Sequence, residues 1–247
     1  MRLDLLLLPR DAVGDSFAGR AVVVFDVLRA TTTMTAALAA GVREIRIFPD
    51  TDAARQAAAA AGNPRPLLCG EAQCLPPAGF DLGNSPGALR RDAHADKTLY
   101  MSTTNGTRAI IAARSAALLL TGALVNASAV ARALVRSGLD VTLLCSGTDG
   151  RIAMEDVLGA GAVIDAMNRA TPIEPESDAA RMGVRLFRGA REDLRGALAD
   201  AAGGRNVIAA GLGADVDFAA RVDVFDVVGR VQDSPLRVGR VASDEFS

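Results

Sequence analysis

One segment, Asp26-Val-Leu-Arg-Ala-Thr-Thr-Thr33, combines residue types that suit chemistry on a phosphate ester. Asp26 ends a strongly apolar run, where a carboxylate is costly unless it faces a cleft, a metal or a cation. Arg29 could neutralise that carboxylate or bind a phosphate through two N–H groups. Thr31, Thr32 and Thr33 open a predicted helix and could bind an anion, although they could equally be simple N-caps. We therefore expect Asp26 and Arg29 to be catalytic and the threonines to contact substrate.

Two further segments have the same organisation, a predicted strand that runs into a turn rich in Thr, Ser and Gly. One is Leu99–Thr107 and the other is Leu143–Gly150. Because the carboxyl ends of strands line the ligand crevice of an open α/β sheet, we expect all three turns at one sheet edge, around a multiply charged anion. An ordinary Asn-Gly turn is the alternative for the second segment. Its predicted substrate contacts are Thr104, Asn105, Gly106 and Thr107.

Several carboxylates could hold a metal ion. Asp26, Glu71, Asp81 and Asp156 are hard oxygen ligands of the type that Mg²⁺ accepts. Asn84 and Ser85 lie with Asp81 in a loop constrained by Gly and Pro, which suits a fixed hydrogen-bonding role, although Asn-Ser-Pro-Gly is also a common helix entry. Glu155-Asp156 begins a predicted helix, where acidic residues also serve as ordinary dipole partners.

Other catalytic arrangements find little support in the sequence. His94 is the single histidine and lies in a polar stretch, so we expect it to be solvated and not catalytic. With three cysteines and no Cys-x-x-Cys, a zinc site and a Ser-His-Asp triad are both disfavoured. Leu28 stands where haloacid-dehalogenase-type phosphatases need a second Asp, and a P-loop motif is missing. Gly211-Leu-Gly213 is weakly similar to a dinucleotide-binding loop, and we interpret it as a helix terminus.

The composition favours an α/β fold. Half of the residues are hydrophobic but only 4% are aromatic, which suits buried parallel strands covered by Ala-rich helices. A net charge of −2 gives no reason to expect nucleic-acid or membrane binding. Lys97 is the only lysine, so an anion site must use Arg and backbone N–H groups. We expect a cytoplasmic protein, and its Ala-rich helices are compatible with a homodimer.

Apolar periodicity and turn residues predict the elements that must position these side chains. The predicted strands are 3–8, 21–26, 44–48, 66–69, 98–102, 117–121, 140–145 and 223–229. The predicted helices are 31–41, 51–61, 106–114, 127–137, 154–169, 176–187 and 190–201. We expect one domain over 1–247, in which Pro172 and Pro175 introduce a helical C-terminal part from about residue 171.

Taken together, the motifs resemble those of the 2-phosphosulfolactate phosphatase (ComB-like) family. The resemblance rests on the Asp26–Thr33 segment and on five others that follow in the family's order. These are Gly70-Glu71, Gly79-Phe-Asp-Leu-Gly-Asn-Ser-Pro86, Thr103-Thr-Asn-Gly-Thr107, Gly122-Ala-Leu-Val-Asn-Ala127 and Glu155-Asp156.

This resemblance implies a three-layer α/β/α fold with a mixed, largely parallel sheet, and a Mg²⁺-dependent phosphatase. The family reaction removes phosphate from 2-phospho-3-sulfolactate to give 3-sulfolactate, on the route to coenzyme M. The sequence departs from the family at Ala72, because the family usually reads Gly-Glu-Arg where this chain has Gly70-Glu71-Ala72. That change removes a cation that could contact substrate, so another phosphorylated hydroxy acid is an alternative substrate.

The sequence is also compatible with two other classes of function. A non-catalytic protein that binds phosphates or dicarboxylates would keep the pocket without the chemistry, and the missing arginine at position 72 favours it. A nucleotide-dependent enzyme of the Rossmann type would require the Gly211 region to follow a strand. A Mg²⁺-dependent phosphatase assay separates the first of these from an enzyme.

Overall fold

A computed structural model describes residues 1–13, 16–171, 173 and 175–241, and its centre is a nine-stranded sheet. Apolar β-branched and Leu-rich runs form most of its strands. The strands are β1 (Leu3–Leu6), β2 (Ala21–Phe25), β3 (Glu44–Ile47), β4 (Leu67–Gly70), β5 (Thr98–Ser102), β6 (Leu118–Gly122), β7 (Val141–Cys145), β8 (Gly229–Gln232) and β9 (Arg237–Arg240).

Helices connect most of these strands, as expected for parallel neighbours. Those along the first two thirds of the chain are α1 (Ala30–Ala39), α2 (Thr51–Ala60), α3 (Arg91–His94), α4 (Gly106–Ala112), α5 (Ala127–Ser137) and α6 (Met154–Ala170). Four more follow, namely α7 (Asp178–Ala190), α8 (Leu194–Asp200), α9 (Ala202–Ala209) and α10 (Gly213–Ala219). None of the helices in the described residues is both long and apolar enough to cross a bilayer.

The sheet consists of two parallel sets joined by an antiparallel hairpin. Its strand order is β1-β7-β2-β6-β8-β9-β3-β5-β4. The pairs β6–β8, β8–β9 and β9–β3 are antiparallel, whereas the other pairs are parallel. Three successive reversals make the set β3-β5-β4 run opposite in sense to the set β1-β7-β2-β6. β5, whose turn was expected at the same sheet edge as the turns after β2 and β7, therefore belongs to the second set.

Helices cover both faces of the sheet, which confirms the α/β fold with a mixed, largely parallel sheet. Alternate residues of β2 point to opposite faces, as the pleat requires. Val23 and Phe25 belong to the core cluster that contains α5, α6 and α7, whereas Val22 and Val24 belong to the cluster that contains α1 and α4. The turn after β2 consequently lies where the two core clusters meet, in a largely buried setting.

The first seven predicted strands are confirmed within about two residues, but the eighth is wrong. Residues 223–229 were predicted as a strand, and β8 begins only at Gly229. Asp223 accepts hydrogen bonds from the N–H and hydroxyl of Ser128, and Asp226 pairs with Arg132. These contacts tie the segment to α5 instead of to a neighbouring strand. The β8–β9 hairpin itself was not predicted.

The predicted helices are also found, but the short α3 and two helices near the C-terminal end were not predicted. No helix was predicted at α9 and α10, because Gly203, Gly204, Gly211 and Gly213 interrupt the helical pattern. Gly211-Leu-Gly213 joins these two helices and follows no strand, which removes the basis for a dinucleotide loop. Pro172, named above as a possible boundary, lies outside the described residues.

Candidate active site

A cavity of about 470 Å³ opens where the turns after β2, β5 and β7 meet the loop after β4 and one side of α9. Each of the three turns predicted to bind an anion contributes at least one residue, even though their strands belong to two parallel sets. The lining residues are Asp26, Leu28, Arg29, Glu71, Gln73, Cys74, Asn84, Thr104, Asn105, Thr148, Asp149, Gly203, Asn206, Val207 and Ala209.

Asp26 lies in the cavity wall and is only 7% exposed. Its Oδ1 atom accepts a hydrogen bond of 3.1 Å from the N–H of Ala30, at the start of α1. Burial raises the pKa of Asp26 to about 6, and the negative charge of Glu71 acts in the same direction. The N–H groups of Ala30 and Gly106 and the charge of Arg29 lower the pKa but do not cancel the effect of burial.

Gly106 packs directly against this carboxylate. A Cβ atom at position 106 would lie 2.8 Å from Oδ2 of Asp26 and 2.8 Å from Cβ of Ala30. The close approach brings the N-terminus of α4 to that of α1, and only a residue without a side chain allows it. Gly106 was predicted as a substrate contact, but the structure places it behind the cavity lining, against Asp26.

Asp156 holds two of the turns together. Its Oδ1 accepts a hydrogen bond of 2.8 Å from the N–H of Val27, and its Oδ2 accepts one of 3.0 Å from the N–H of Gly147. Burial raises the pKa of Asp156 well above its ordinary value, and the charges of Asp26 and Glu155 raise it further. Both oxygens are thus occupied by main-chain donors, and Asp156 lies behind the lining of the cavity.

Glu71 joins the loop after β4 to the turn after β5. Its Oε1 accepts hydrogen bonds from the N–H and the hydroxyl of Thr104, at 2.9 Å and 2.7 Å. Its Oε2 accepts a hydrogen bond of 3.0 Å from the N–H of Cys74. Glu71 lines the cavity, but its oxygens already have donors. Thr104, predicted to bind substrate, lines the cavity beside it.

Arg29 is the cation of the cavity, and α10 supplies its partner. Its Nη1 lies 2.6 Å from Oδ2 of Asp215 and 3.3 Å from Oγ of Ser85. Ser85 in turn donates a hydrogen bond of 2.8 Å to the same Asp215 oxygen. Nη2 of Arg29 donates to the carbonyl oxygen of Cys74. Ser85, predicted to contact substrate, therefore takes part in holding Arg29, and Asp215 joins the site without having been predicted.

The hydroxyl groups of Thr31, Thr32 and Thr33 are used within the protein. They donate to the main-chain oxygens of Asp26 (2.9 Å), Val27 (2.7 Å) and Asn84 (3.0 Å), respectively. All three side chains are buried, and none of them lines the cavity. They fix the shape of the turn that carries Asp26 and Arg29. Thr107 is likewise buried, with its hydroxyl 3.1 Å from that of Thr103.

Asn84 is the predicted substrate contact whose position best suits a ligand. It is only 3% exposed, it lines the cavity, and its Oδ1 atom has no hydrogen-bond partner among the described residues. A buried acceptor without a donor costs about 1–3 kcal/mol unless a ligand, an ion or water satisfies it. Asn105 also lines the cavity, and its side chain does not cap α4.

Two predicted features lie elsewhere. The structure does not bring Asp81 to the cavity: its Oδ1 pairs with Arg65 at 2.6 Å and its Oδ2 accepts from the N–H of Leu68 at 2.8 Å. This carboxylate fixes the edge of β4. The expectation that His94 is solvated is wrong, because it ends α3 in a buried position, where its Nδ1 accepts a hydrogen bond of 3.0 Å from the N–H of Arg90. It does not line the cavity.

The four predicted magnesium ligands are not assembled as one set. Within the described ranges, no three Asp, Glu, His or Cys side chains come together as a ready-made metal site. However, Mg²⁺ usually binds through one or two carboxylates together with waters and substrate phosphates. Asp26 and the unpartnered Oδ1 of Asn84 fit that mode, because both line the cavity and both supply oxygen.

Sequence reasoning missed the contribution of the C-terminal helices. Gly203, Asn206 and Val207 on α9 line the cavity, and Asp215 on α10 pairs with Arg29. The sequence of α9 and α10 contains no phosphate-site motif, and four glycines interrupt its helical pattern. Thr148 and Asp149 lie in the third of the turns predicted to bind an anion, although the sequence gave them no individual role.

Comparison with known proteins gives a consistent result. Residues 7–234 match the model of a family described as 2-phosphosulpholactate phosphatase. A probable 2-phosphosulfolactate phosphatase of Carboxydothermus hydrogenoformans is 38% identical over 239 residues, which is 96% of each chain. Proteins with the same description from Deinococcus radiodurans and Parasynechococcus marenigrum are each 39% identical, over 92% of this chain and 92% and 93% of their own length.

Proposed function

The chain belongs to the 2-phosphosulpholactate phosphatase family, and on this basis we propose that it hydrolyses 2-phospho-3-sulfolactate to 3-sulfolactate and phosphate. The observation that carries the proposal is the position of Asp26 and Arg29. Three residues apart on one turn, they line the same cavity, and both are nearly buried. A carboxylate and a guanidinium that are held on one turn and are both nearly buried are suited to phosphoryl transfer, in which positioning and charge stabilisation do most of the work.

Charge balance supports the proposal that a divalent cation takes part. Asp26, Glu71 and Asp149 line the cavity with Arg29, which is already paired with Asp215. A phosphate dianion would be repelled by such a surface unless a cation joined it. Asp26 and the amide oxygen of Asn84 would hold Mg²⁺, together with waters and the substrate phosphate. Bound there, the ion would neutralise charge on the phosphoryl oxygens.

The remaining roles follow from the hydrogen bonds. Arg29 binds a phosphoryl oxygen through the N–H groups that Asp215, Ser85 and Cys74 leave available. Thr31, Thr32, Thr33 and Asp156 keep the Asp26–Arg29 turn in one shape. The cover provided by α9 limits access of water to one side of the cavity.

Asp26 has two possible roles, as a nucleophile or as the group that orients the attacking water. Acid quenching during turnover distinguishes them, because a nucleophile forms an acyl phosphate that can be found on the peptide containing Asp26. A phosphorylated peptide supports direct attack by Asp26. Turnover without such a peptide supports attack by water.

The decisive assay measures phosphate release from 2-phosphosulfolactate with and without Mg²⁺. We expect release that requires Mg²⁺ and that falls at least about a thousandfold in Asp26→Asn, since that variant loses the carboxylate charge while keeping the side-chain shape. Other phosphorylated hydroxy acids serve as comparison substrates. Lack of release from every ester at any pH would contradict the proposal and indicate a binding protein.

Several expectations from the sequence stay predictions. These are a cytoplasmic location, a homodimer and the lack of nucleic-acid binding. Sedimentation of the purified protein tests the second of these directly.

A further inference from the structure

One wall of the cavity is formed by a single face of α9. Gly203, Asn206 and Val207 are spaced at i, i+3 and i+4, so they lie on one side of this helix, and all three line the cavity. Val207 is buried and anchors the helix, whereas Asn206 is exposed to the cavity. This wall therefore presents an amide group to a bound molecule.

Close packing fixes the rotation of α9 and hence the direction of Asn206. A Cβ atom on Gly203 would overlap Oε1 of Glu155 on α6, and one on Gly204 would overlap the carbonyl oxygen of Leu198. The first turn of α9 can approach its neighbours this closely only because both residues are glycine. The next turn is consequently held with Asn206 towards the cavity.

Besides Asn84 and Thr104, three more uncharged polar side chains line the cavity, namely Gln73, Asn105 and Thr148. Like Asn206, they make no side-chain hydrogen bond to any described residue, although Asn and Gln carry two N–H donors each and Thr carries one O–H. Together with Asn206, these three residues come from four different segments of the chain. Unused donors that converge from separate segments indicate a subsite for an acceptor-rich group.

The described charged residues that line the cavity include no second cation that could pair with a further anionic group of a ligand. Among the described lining residues Arg29 is the one cation, and its Nη1 is paired with Asp215. Position 72, directly after Glu71, is an exposed alanine and supplies no cation. A substrate that carries further acidic groups besides its phosphate must therefore have them bound by neutral donors or by the metal.

We infer that Asn206 and Gln73, with Asn105 and Thr148, form an uncharged subsite that binds the acidic end of the substrate, its carboxylate or sulfonate, through hydrogen bonds. The inference rests on the proposed function for the substrate, and it assigns specificity to α9 and to the loop after β4. Neutral amides and hydroxyls donate to sulfonate or carboxylate oxygens without requiring a counter-charge.

The test measures binding of 3-sulfolactate by calorimetry, in the presence of Mg²⁺, to the wild-type protein and to Asn206→Asp and Gln73→Glu. These substitutions preserve size but replace an N–H donor by a negative charge. We expect the dissociation constant to rise at least about tenfold in each variant, because like charges are brought together. Ala202→Asp is the control, since it adds the same charge to an exposed position of α9 outside the cavity lining. It should change the constant less than about twofold.

Kinetics provide a second readout. In both variants kcat/KM should fall at least about tenfold more for 2-phosphosulfolactate than for p-nitrophenyl phosphate, which lacks the acidic end. Equal losses for the two esters, 3-sulfolactate binding that is unchanged in both variants, or no 3-sulfolactate binding to the wild-type protein would overturn the inference. The proposed function fails separately, if the wild-type protein releases no phosphate from any ester while 3-sulfolactate still binds.

Discussion

Arg29 and Asp215 form a buried ion pair across 186 residues of sequence, with Nη1 and Oδ2 2.6 Å apart. Their side chains are 2% and 8% exposed. The pair ties the turn after β2, which carries Asp26, to α10 near the end of the chain. It thereby makes the C-terminal helices part of the candidate active site.

Asp215→Asn should lower both stability and activity. It leaves the buried Arg29 without its counter-charge, which typically costs about 3–5 kcal/mol, and it frees the guanidinium to leave its position. We expect unfolding in urea at clearly lower concentration and a fall in kcat/KM of at least about tenfold. Asp217→Asn is the matched control on the same helix, because Asp217 pairs with Arg195 in an exposed position and should contribute less than about 1 kcal/mol. Equal effects of the two substitutions would contradict the role given to the buried pair.

The stability of the metal-free protein should depend on pH through Asp26. Its pKa is raised from 3.8 to about 6, so the folded state binds the proton more tightly than the unfolded chain does. The ionised carboxylate therefore destabilises the fold fully above about pH 6, and this cost disappears as the pH falls below about 4. The difference in unfolding free energy between Asp26→Asn and wild type should therefore change with pH. It should increase in favour of the variant by on the order of 3 kcal/mol as the pH rises from about 4 to 7. Urea titrations in EDTA measure this difference, and parallel pH curves for the two proteins would refute the prediction.

Gly106→Ala should impair the site with little change elsewhere. The added Cβ would come within 2.8 Å of Asp26 Oδ2 and of Ala30, so α1 and α4 must move apart. We expect kcat to fall at least about tenfold and the unfolding free energy to fall by about 1–3 kcal/mol. Gly189→Ala on α7 is the control, because its Cβ meets open space and alanine favours a helix. A fully active Gly106→Ala variant would show that this approach does not shape the site.

Asp156→Asn should reduce activity by disturbing the relation between two turns. An amide can accept from the N–H of Val27 or of Gly147, but not from both, because one of its two terminal atoms is itself a donor. We expect kcat/KM for 2-phosphosulfolactate to fall at least about tenfold. Asp165→Asn, on the same helix but paired with Arg169 and Arg188 away from the cavity, should retain activity within about twofold. Restored activity in Asp156→Asn at high Mg²⁺ would instead indicate a metal ligand.

Mg²⁺ should stabilise the protein when phosphate is present. If Asp26 and a phosphate hold the ion jointly, Mg²⁺ and phosphate added together raise Tm by mass action. Either of the two added alone raises Tm less. Asp26→Asn should lose this response. Thermal unfolding with Mg²⁺, phosphate, both or neither provides the comparison. A full response to Mg²⁺ alone would point to a site made by the protein without substrate.

Much of the architecture could be read from local patterns. Strands β1 to β7 are short apolar runs ended by polar or turn residues, and these signals depend on neighbours in the sequence. Asp26, Arg29, Glu71 and Thr104 lie nearest to such signals, and for the same reason they were predicted among the residues that line the cavity. The strand predicted at 223–229 failed because Asp223 and Asp226 bind α5, a contact that no local pattern reveals.

The sequence by itself determined the α/β alternation, the family motifs and the turn that places Asp26 three residues before Arg29, since each of these is a relation between near neighbours. The tertiary structure decided how the side chains are used. It committed the threonine hydroxyls and both Asp156 oxygens to the main chain, and it left Asn84 Oδ1 without a donor. It also brought Asn206 and Asp215 to the cavity. These relations join distant segments, and they depend on which polar groups find a partner when the two core clusters and the C-terminal helices pack together.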